Sequence, residues 1–256
     1  MELKRYFIEF SYDGLAFHGW QRQPNALSVQ EVIEDGLSKL LKKKIPIIGA
    51  GRTDAGVHAR QMFAHFNASI KEECLKDLVF LLNNYLPKSI NIISLENVKE
   101  TAHSRFDAIE RSYEYYISTV KDPFTSSFHY YLKNVPDINL MNQASKILLN
   151  HKDFKCFSKS HTDVKTFLCD IKSASWSRKE SQIVFSITSN RFLRNMVRSI
   201  VGTLLEIGQK KRPIQDMKLI IESKDRNKAG FSVPAKGLFL TKIIYPSNIF
   251  LNNEKK

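Results

Sequence analysis

The chain reads as an α+β protein built on mainly antiparallel strands. Short strand-like runs recur in both halves, helix-length amphipathic stretches fall between them, and few runs are the continuous apolar strands of a parallel βαβ sheet. Residues 6–10 form the first strand, ending at the turn signal Tyr12-Asp13-Gly14. Ser28 opens a helix with Glu31 three residues later, the pattern of a capping box. Val29, Val32, Ile33, Leu37, Leu40 and Leu41 follow at helical spacing, so one face is buried. Residues 45–48 and 57–66 read as strands on either side of a loop. A second helix covers 72–86, with Leu75, Leu78, Val79 and Leu82 on one side and Pro87 behind it. Residues 90–98 form another strand.

The second half repeats the plan. Tyr113, Tyr115 and Ile117 alternate with Glu114, Tyr116 and Ser118, as in a half-buried strand. A helix is expected over 139–149 and strands over 165–176 and 183–188. A long helix over 192–207 is closed by Gly208. The basic run Lys210-Lys211-Arg212 precedes a short helix begun by Pro213, and 238–245 closes as a strand. The boundary between halves falls between Glu100 and Arg111, giving units 1–105 and 106–256.

Composition narrows the partners. Of 256 residues, 43% are hydrophobic, enough for a real core. No apolar run has membrane-spanning length, and Met-Glu-Leu-Lys-Arg is no signal peptide. Cys74, Cys156 and Cys169 are odd in number and lack ligand spacing, which suits reduced core thiols in a cytoplasmic protein. The seven histidines form no ligand cluster, so no metal is expected. Lys and Arg number 39 against 26 Asp and Glu, a net charge of +13. That excess favours nucleic acid, since no helix pairs a basic face with a large apolar one, as membrane-surface binding would require. The 17 Phe and 9 Tyr supply possible stacking platforms for unpaired RNA, although most of the Phe residues belong to the core.

The loop Gly49-Ala50-Gly51-Arg52-Thr53-Asp54-Ala55-Gly56-Val57-His58 concentrates the chemistry. Three glycines allow a sharp turn and close approach, and they leave one acid, Asp54, beside one permanent cation, Arg52. Gly51 and Gly56 have Walker-type spacing, but Val57-His58 stands where Lys-Ser or Lys-Thr is needed. The dinucleotide fingerprint fails at its third glycine. No nucleotide cofactor is expected. Taken alone, the loop is equally compatible with a tight turn carrying a surface Arg52–Asp54 pair. On the late helix, Arg191, Arg194 and Arg198 fall on one narrow stripe among apolar residues. Arg198 lies deepest and calls for a specific partner. Asp54 is a candidate from chemistry alone.

These residues resemble the tRNA pseudouridine synthase A family. The similarity rests on six blocks in order: Tyr12-Asp13-Gly14 with Gly19 to Gln23 and Ser28 to Glu31; Gly51 to Ala59; His103-Ser104-Arg105-Phe106; Arg111-Ser112-Tyr113-Glu114-Tyr115; Asn195 to Gly202; and Ala235 to Leu240. The chain departs at Ser104, where many relatives have alanine. It has no arginine over 67–73, where relatives place a second base-flipping arginine.

The resemblance implies two similar ferredoxin- or RRM-like halves, their mainly antiparallel sheets joined around a central active-site cleft. It implies a homodimer that holds tRNA by its anticodon stem-loop. It implies isomerisation of uridine to pseudouridine at positions 38, 39 and/or 40, without cofactor or metal. Carried over residue by residue, Asp54 is the nucleophile and Arg198 pairs with it. Tyr113 stacks on the base and takes part in proton transfer, Arg52 helps flip the base out, and His58, Arg105 and Phe106 contact substrate. Asp54 can attack C1′, add to C6, or start an elimination through C2′, and the sequence does not choose. A non-catalytic RNA-binding protein fits charge and aromatics equally well, but binding alone needs no acid facing RNA. A related synthase with another RNA target shares the loop. A small-molecule nucleotide enzyme is disfavoured by the missing phosphate-loop lysine.

Overall fold

A computed structural model describes residues 2–159 and 164–251. The chain forms two compact units: one runs to Ile109 and resumes at Leu240, and the other spans Glu110–Phe239. The first thus takes back the closing segment, which a linear reading of the sequence leaves with the second half. The fold is α+β with largely antiparallel strand pairing, as the sequence predicts.

In the first unit, β1 (Lys4–Tyr12) lies between β3 (His58–Ala68) and β4 (Ile90–Val98), antiparallel to both. The two-residue β2 (Ile48–Gly49) pairs with β3, and β9 (Leu238–Ile244) flanks β3 on its other side. Phe7, Ile8 and Phe10 on β1 are fully buried, and Phe7 meets Tyr245 edge-on at 5.0 Å. Helix α1 (Val29–Leu40) starts where the capping pattern places it, with Ser28 Oγ accepting the Glu31 amide at 3.2 Å. The Glu31 carboxylate instead lies 3.5 Å from Arg22. Helix α2 is Leu75–Tyr85, preceded by a 3₁₀ turn over Glu72–Cys74.

The strand expected over 45–48 is reduced to β2. Side chains of α1 take its backbone groups before a strand can. Ile45 N–H donates to Ser38 Oγ, Ile47 N–H to Glu34 Oε1, and Gln30 Nε2 donates to the Ile47 carbonyl, each at 3.0 Å. Residues 30, 34 and 38 share one helix face, so the segment lies along α1.

In the second unit, β8 (Gln182–Ser189) runs antiparallel between β5 (Glu110–Ser118) and β7 (Ile171–Lys179). The short β6 (Tyr130–Tyr131), which the sequence does not announce, pairs in parallel with β5. Helices α3 (Ile138–Leu148), α4 (Met196–Gly208) and α5 (Asp216–Ser223) complete it. Two elements start four or more residues later than the sequence reading places them. Strand β7 begins six residues later than expected, because Phe154 N–H donates to the Phe167 carbonyl and Cys169 N–H to the Lys152 carbonyl, drawing 167–169 toward 152–154. Helix α4 begins at Met196, because Asn195 sits in the left-handed region at φ 67°, which asparagine tolerates. Arg191 and Arg194 therefore lie outside the helix, and the expected three-arginine stripe does not form.

Each unit guards its edge strand in the same way. Asn83 on α2 donates to the Ile92 carbonyl (2.8 Å) and accepts the Ile92 amide (2.7 Å). Asn142 on α3 does the same to Trp176, at 3.0 and 2.8 Å. One side-chain amide thus satisfies both backbone groups that an edge strand leaves open.

Helix α4 packs against the segment 229–234 at backbone distance. A β-carbon on Gly202 would lie 1.8 Å from the Phe231 carbonyl oxygen, and one on Gly230 would lie 2.8 Å from the Thr203 nitrogen. Gly202→Ala is expected to lower stability by about 2–3 kcal/mol or more in chemical denaturation, because backbone must move. Gly51→Ala, which meets no atom within 4 Å, is the tolerated comparison.

Candidate active site

The loop between β2 and β3 is built against the first motif of the chain. Its entry is fixed by the pairing of Ile48 with His65 and Gly49 with Ala64, and by the Ala50 amide on the Phe63 carbonyl at 2.8 Å. At its tip the Val57 amide donates back to the Asp54 carbonyl at 3.2 Å, with Gly56 at φ 76°. A four-residue turn with its third residue at positive φ is the turn that glycine serves best. Asp54 is its first residue and is half-buried.

Four contacts hold the loop from below. Tyr12 is buried and its hydroxyl lies 2.8 Å from Thr53 Oγ1. Tyr12 is aimed there by a bulge, where two β3 residues oppose Ser11. The Trp20 amide donates to the Thr53 carbonyl at 3.3 Å. A β-carbon on Gly14 would lie 2.0 Å from the Val57 carbonyl oxygen, and one on Gly19, at φ 92°, 2.5 Å from the Thr53 carbonyl oxygen. The motifs at 12–20 and 50–58 are thus two faces of one contact, a juxtaposition that no spacing rule reveals. Tyr12 and Trp20 are the supporting residues that the sequence reading did not assign to the site.

Arg52 is exposed and makes no ion pair with Asp54 among the described residues, so the bland reading of the loop as a surface Arg–Asp pair does not hold. His58, read from sequence among the substrate contacts, is only 1% exposed. Its Nδ1 accepts the Gly14 amide at 3.1 Å and lies as close to Asp13 Oδ1. Its ring lies beneath the loop, at the start of β3.

Residues 103–107 form a second feature of this unit. Ser104 is buried: its amide donates to His65 Nδ1 at 3.2 Å and its hydroxyl to the Ile48 carbonyl at 2.7 Å. Tyr245 donates to the Ser104 carbonyl at 2.6 Å. The block is therefore tied to both strands that carry the loop. Above this anchor, Phe106 is 72% exposed, its ring 4.3 Å from that of His103 and 5.6 Å from the Arg105 guanidinium carbon. His103 Nδ1 accepts the Arg105 amide at 3.1 Å, and the His103 amide donates to Asp107 at 2.7 Å. An exposed ring so buttressed is a platform.

In the second unit, Arg198 is held from both ends. Its Nε donates to the Val233 carbonyl at 2.8 Å, and its carbonyl accepts the Val233 amide at 3.3 Å. The next carbonyl along, Pro234, accepts the hydroxyl of the fully buried Tyr115 at 2.9 Å. Burial pushes the Tyr115 phenol far up, only partly offset by the charge of Arg198. Tyr113 is two residues away on the same face of β5, about 7 Å along the strand. It is half-buried, with Phe192 edge-on at 5.1 Å. Thus Arg198 and Tyr113 flank one buried tyrosine. Asn195, just before Arg198's helix, donates to Ser232 Oγ at 2.6 Å, and Arg226 reaches the same oxygen at 3.0 Å. Of the loop 157–161, Ser160 and His161 lie outside the described residues. Burial raises the thiols of Cys156 and Cys169 to about 12 and 11.

Burial, with His103 and Arg5 nearby, lowers His65 to about 4. A histidine depressed in the fold stays neutral there while the unfolded chain binds a proton near pH 6.5. Its stabilising contribution is complete above pH 6.5 and is lost as pH falls toward 4, about 3 kcal/mol at most. His65→Gln is expected to be less stable at pH 7, yet to lose stability more slowly between pH 6.5 and 4, by up to about 1 kcal/mol per pH unit. Denaturant titrations across that range measure both slopes, and parallel curves would show that His65 binds its proton equally in the folded and unfolded chain.

A family profile described as tRNA pseudouridine synthase matches residues 9–107 and 144–246. The tRNA pseudouridine synthase A of Parabacteroides distasonis is 50% identical over 251 residues, covering 97% of this chain and 98% of that protein. That of Bacteroides fragilis is 47% identical over 251 residues, covering 98% and 100%. That of Borreliella afzelii is 40% identical over 246 residues, covering 95% and 100%. No helix among the described residues is long and apolar enough to cross a membrane.

Proposed function

The chain belongs to the tRNA pseudouridine synthase family, isomerases that act on tRNA uridines, and from that premise we propose how its own residues perform the reaction. The reaction breaks the C1′–N1 bond, turns the uracil over and forms C1′–C5. The C5 proton leaves and N1 gains one, so atoms and electrons balance without an oxidant or an activated water. One carboxylate suffices, unlike the pair needed for glycoside hydrolysis.

Asp54 is the nucleophile in this reading. The observation that carries it is the investment in its loop: two glycine-mediated backbone contacts, a buried tyrosine and a buried histidine all fix a turn whose first residue is this acid. Arg198 is assigned as the cation that pairs with Asp54 and favours its charged form. Its double tether to Val233 suits a group held in one orientation. Tyr113 stacks on the uracil and takes part in proton transfer. Arg52, exposed beside Asp54, enters the RNA and helps keep the base out of its stack, a step that costs a few kcal/mol. His58 acts by shaping the loop rather than by touching RNA, in keeping with its burial. The target uridines are at positions 38, 39 and/or 40 of the anticodon stem-loop, the enzyme acts as a homodimer, and its compartment is the cytoplasm. Attack at C1′, addition at C6 and elimination through C2′ all require the same carboxylate.

Asp54→Asn is expected to abolish tritium release from C5-tritiated uridine in unmodified tRNA, by roughly three orders of magnitude or more, with tRNA binding retained. Equal release by both proteins would remove Asp54 from the chemistry. Absence of release by either, with tRNA still bound, would favour a binding protein. Mapping pseudouridine in the product tRNA tests the positions.

Phe106 and Arg105 are read as a stacking platform for an unpaired base. Truncating such a ring costs about 1–3 kcal/mol per stacked base. Phe106→Ala should therefore raise the KM for tRNA about 5- to 100-fold, with melting temperature unchanged because the ring is exposed. Phe106→Trp should retain the native value. A KM that Leu restores as well as Trp does would replace stacking by simple apolar contact.

A further inference from the structure

The basic run after α4 is used neither by the loop nor by Arg198. Past Gly208 the chain turns through Gln209 and Lys210, the latter at φ 59°. Lys42 and Lys224 adopt the same conformation at other helix ends, so the geometry itself is ordinary. What is particular is the recess beside it, about 450 Å³, lined by the apolar side chains of Leu140, Ile207 and Ile214 and by Lys210, Lys211 and Arg212.

The three cations are not equivalent. Arg212 is committed internally: its Nε lies 2.5 Å from Glu206 Oε2 and its terminal nitrogen donates to the Lys228 carbonyl at 3.1 Å. It braces the turn. Lys218 and Lys224, on and after α5, face Glu222 at 3.7 Å and Asp153 at 2.9 Å. Lys210 and Lys211 are exposed, and among the described residues no carboxylate lies within 4 Å of either ammonium. The first amides of α3, which also borders the recess, are already taken by Asp137, at 2.9 Å from Asn139 and 3.2 Å from Leu140. Any attraction of the recess for an anion therefore rests on these two lysines.

We propose that Lys210 and Lys211 hold backbone phosphates of the tRNA at a contact remote from the reacting uridine. Ten positions along α4 separate Arg198 from Gly208, about 15 Å at helical rise, and the two lysines follow beyond that end. The inference rests on the reading of the protein as a tRNA enzyme with Arg198 near the target base. Phosphates are the partner because an ammonium is a compact point charge without the planar fork that reads base edges. Such a contact positions the RNA without selecting its sequence, and it is lost with salt as counterions compete.

The test uses the full chain carrying Lys210→Gly together with Lys211→Gln. Glycine suits the left-handed position, so the double variant should fold as well as the native protein. Tritium release and filter binding are measured with full-length unmodified tRNA at 50 and 200 mM salt, alongside melting temperature. Two lost phosphate contacts, at a slope of about 0.9 each, predict that the variant's deficit in affinity is about 12-fold larger at 50 mM than at 200 mM. KM should follow, with kcat and melting temperature unchanged. Equal affinities at both salts would overturn the proposal. So would a lower melting temperature with an unchanged salt slope, which would reduce the lysines to partners of the helix dipole. Filter binding reads this result even if the native protein releases no tritium, so failure of the enzymatic reading is seen separately.

Discussion

Two glycines in the first motif decide where the Asp54 loop goes. Gly14 and Gly19 bring the backbone of 14–19 within contact of the Val57 and Thr53 carbonyls, closer than any side chain allows. Around that approach the other contacts become possible: the Tyr12 hydroxyl reaches Thr53, the Trp20 amide reaches the same residue, and His58 accepts the Gly14 amide. The buried groups are satisfied almost entirely by one another, which is what keeps an irregular loop in one conformation. Helix α1 is drawn into the same arrangement, since its first amides bond to the Gly19 and Trp20 carbonyls.

The second unit solves a similar problem with a different device. Arg198 is carried by a regular helix, but it is oriented by the segment 229–234, admitted to α4 by Gly202 and Gly230. The Thr203 hydroxyl accepts the Gly230 amide at 2.8 Å while donating back to the Ser199 carbonyl, so the close approach leaves these polar groups paired. Val233 and Pro234 then present neighbouring carbonyls to Arg198 and Tyr115. An arginine bonded through Nε keeps its terminal nitrogens for other acceptors.

Local chemistry was the most legible part of the chain. Ser28 caps α1 as its spacing promised, β4 occupies the expected residues, and Asn139 to Leu149 differs from α3 by one position at each end. The failures share a cause. Residues 45–47 have strand composition, yet Ser38, Glu34 and Gln30 claim their backbone. Residues 192–195 have helical periodicity, yet Asn195 turns the chain at positive φ. In each case periodicity reported burial correctly and secondary structure wrongly, because the competing hydrogen bonds come from the tertiary fold or from a single backbone conformation.

The candidate site divides along the same line. The sequence by itself determined the family, the charge that suits RNA and the identity of the acid, arginine and tyrosine singled out for chemistry, because these depend on residue type and order. Only the tertiary structure decided that the His58 ring is buried beneath the loop, that Arg52 makes no ion pair with Asp54 among the described residues, and that Phe106 stands exposed on a buried Ser104–His65 anchor. Those outcomes depend on which atoms come within about 3 Å of each other. Such distances are set by backbone approach at a few glycines and by one-residue bulges, to which apolar spacing along a sequence is blind.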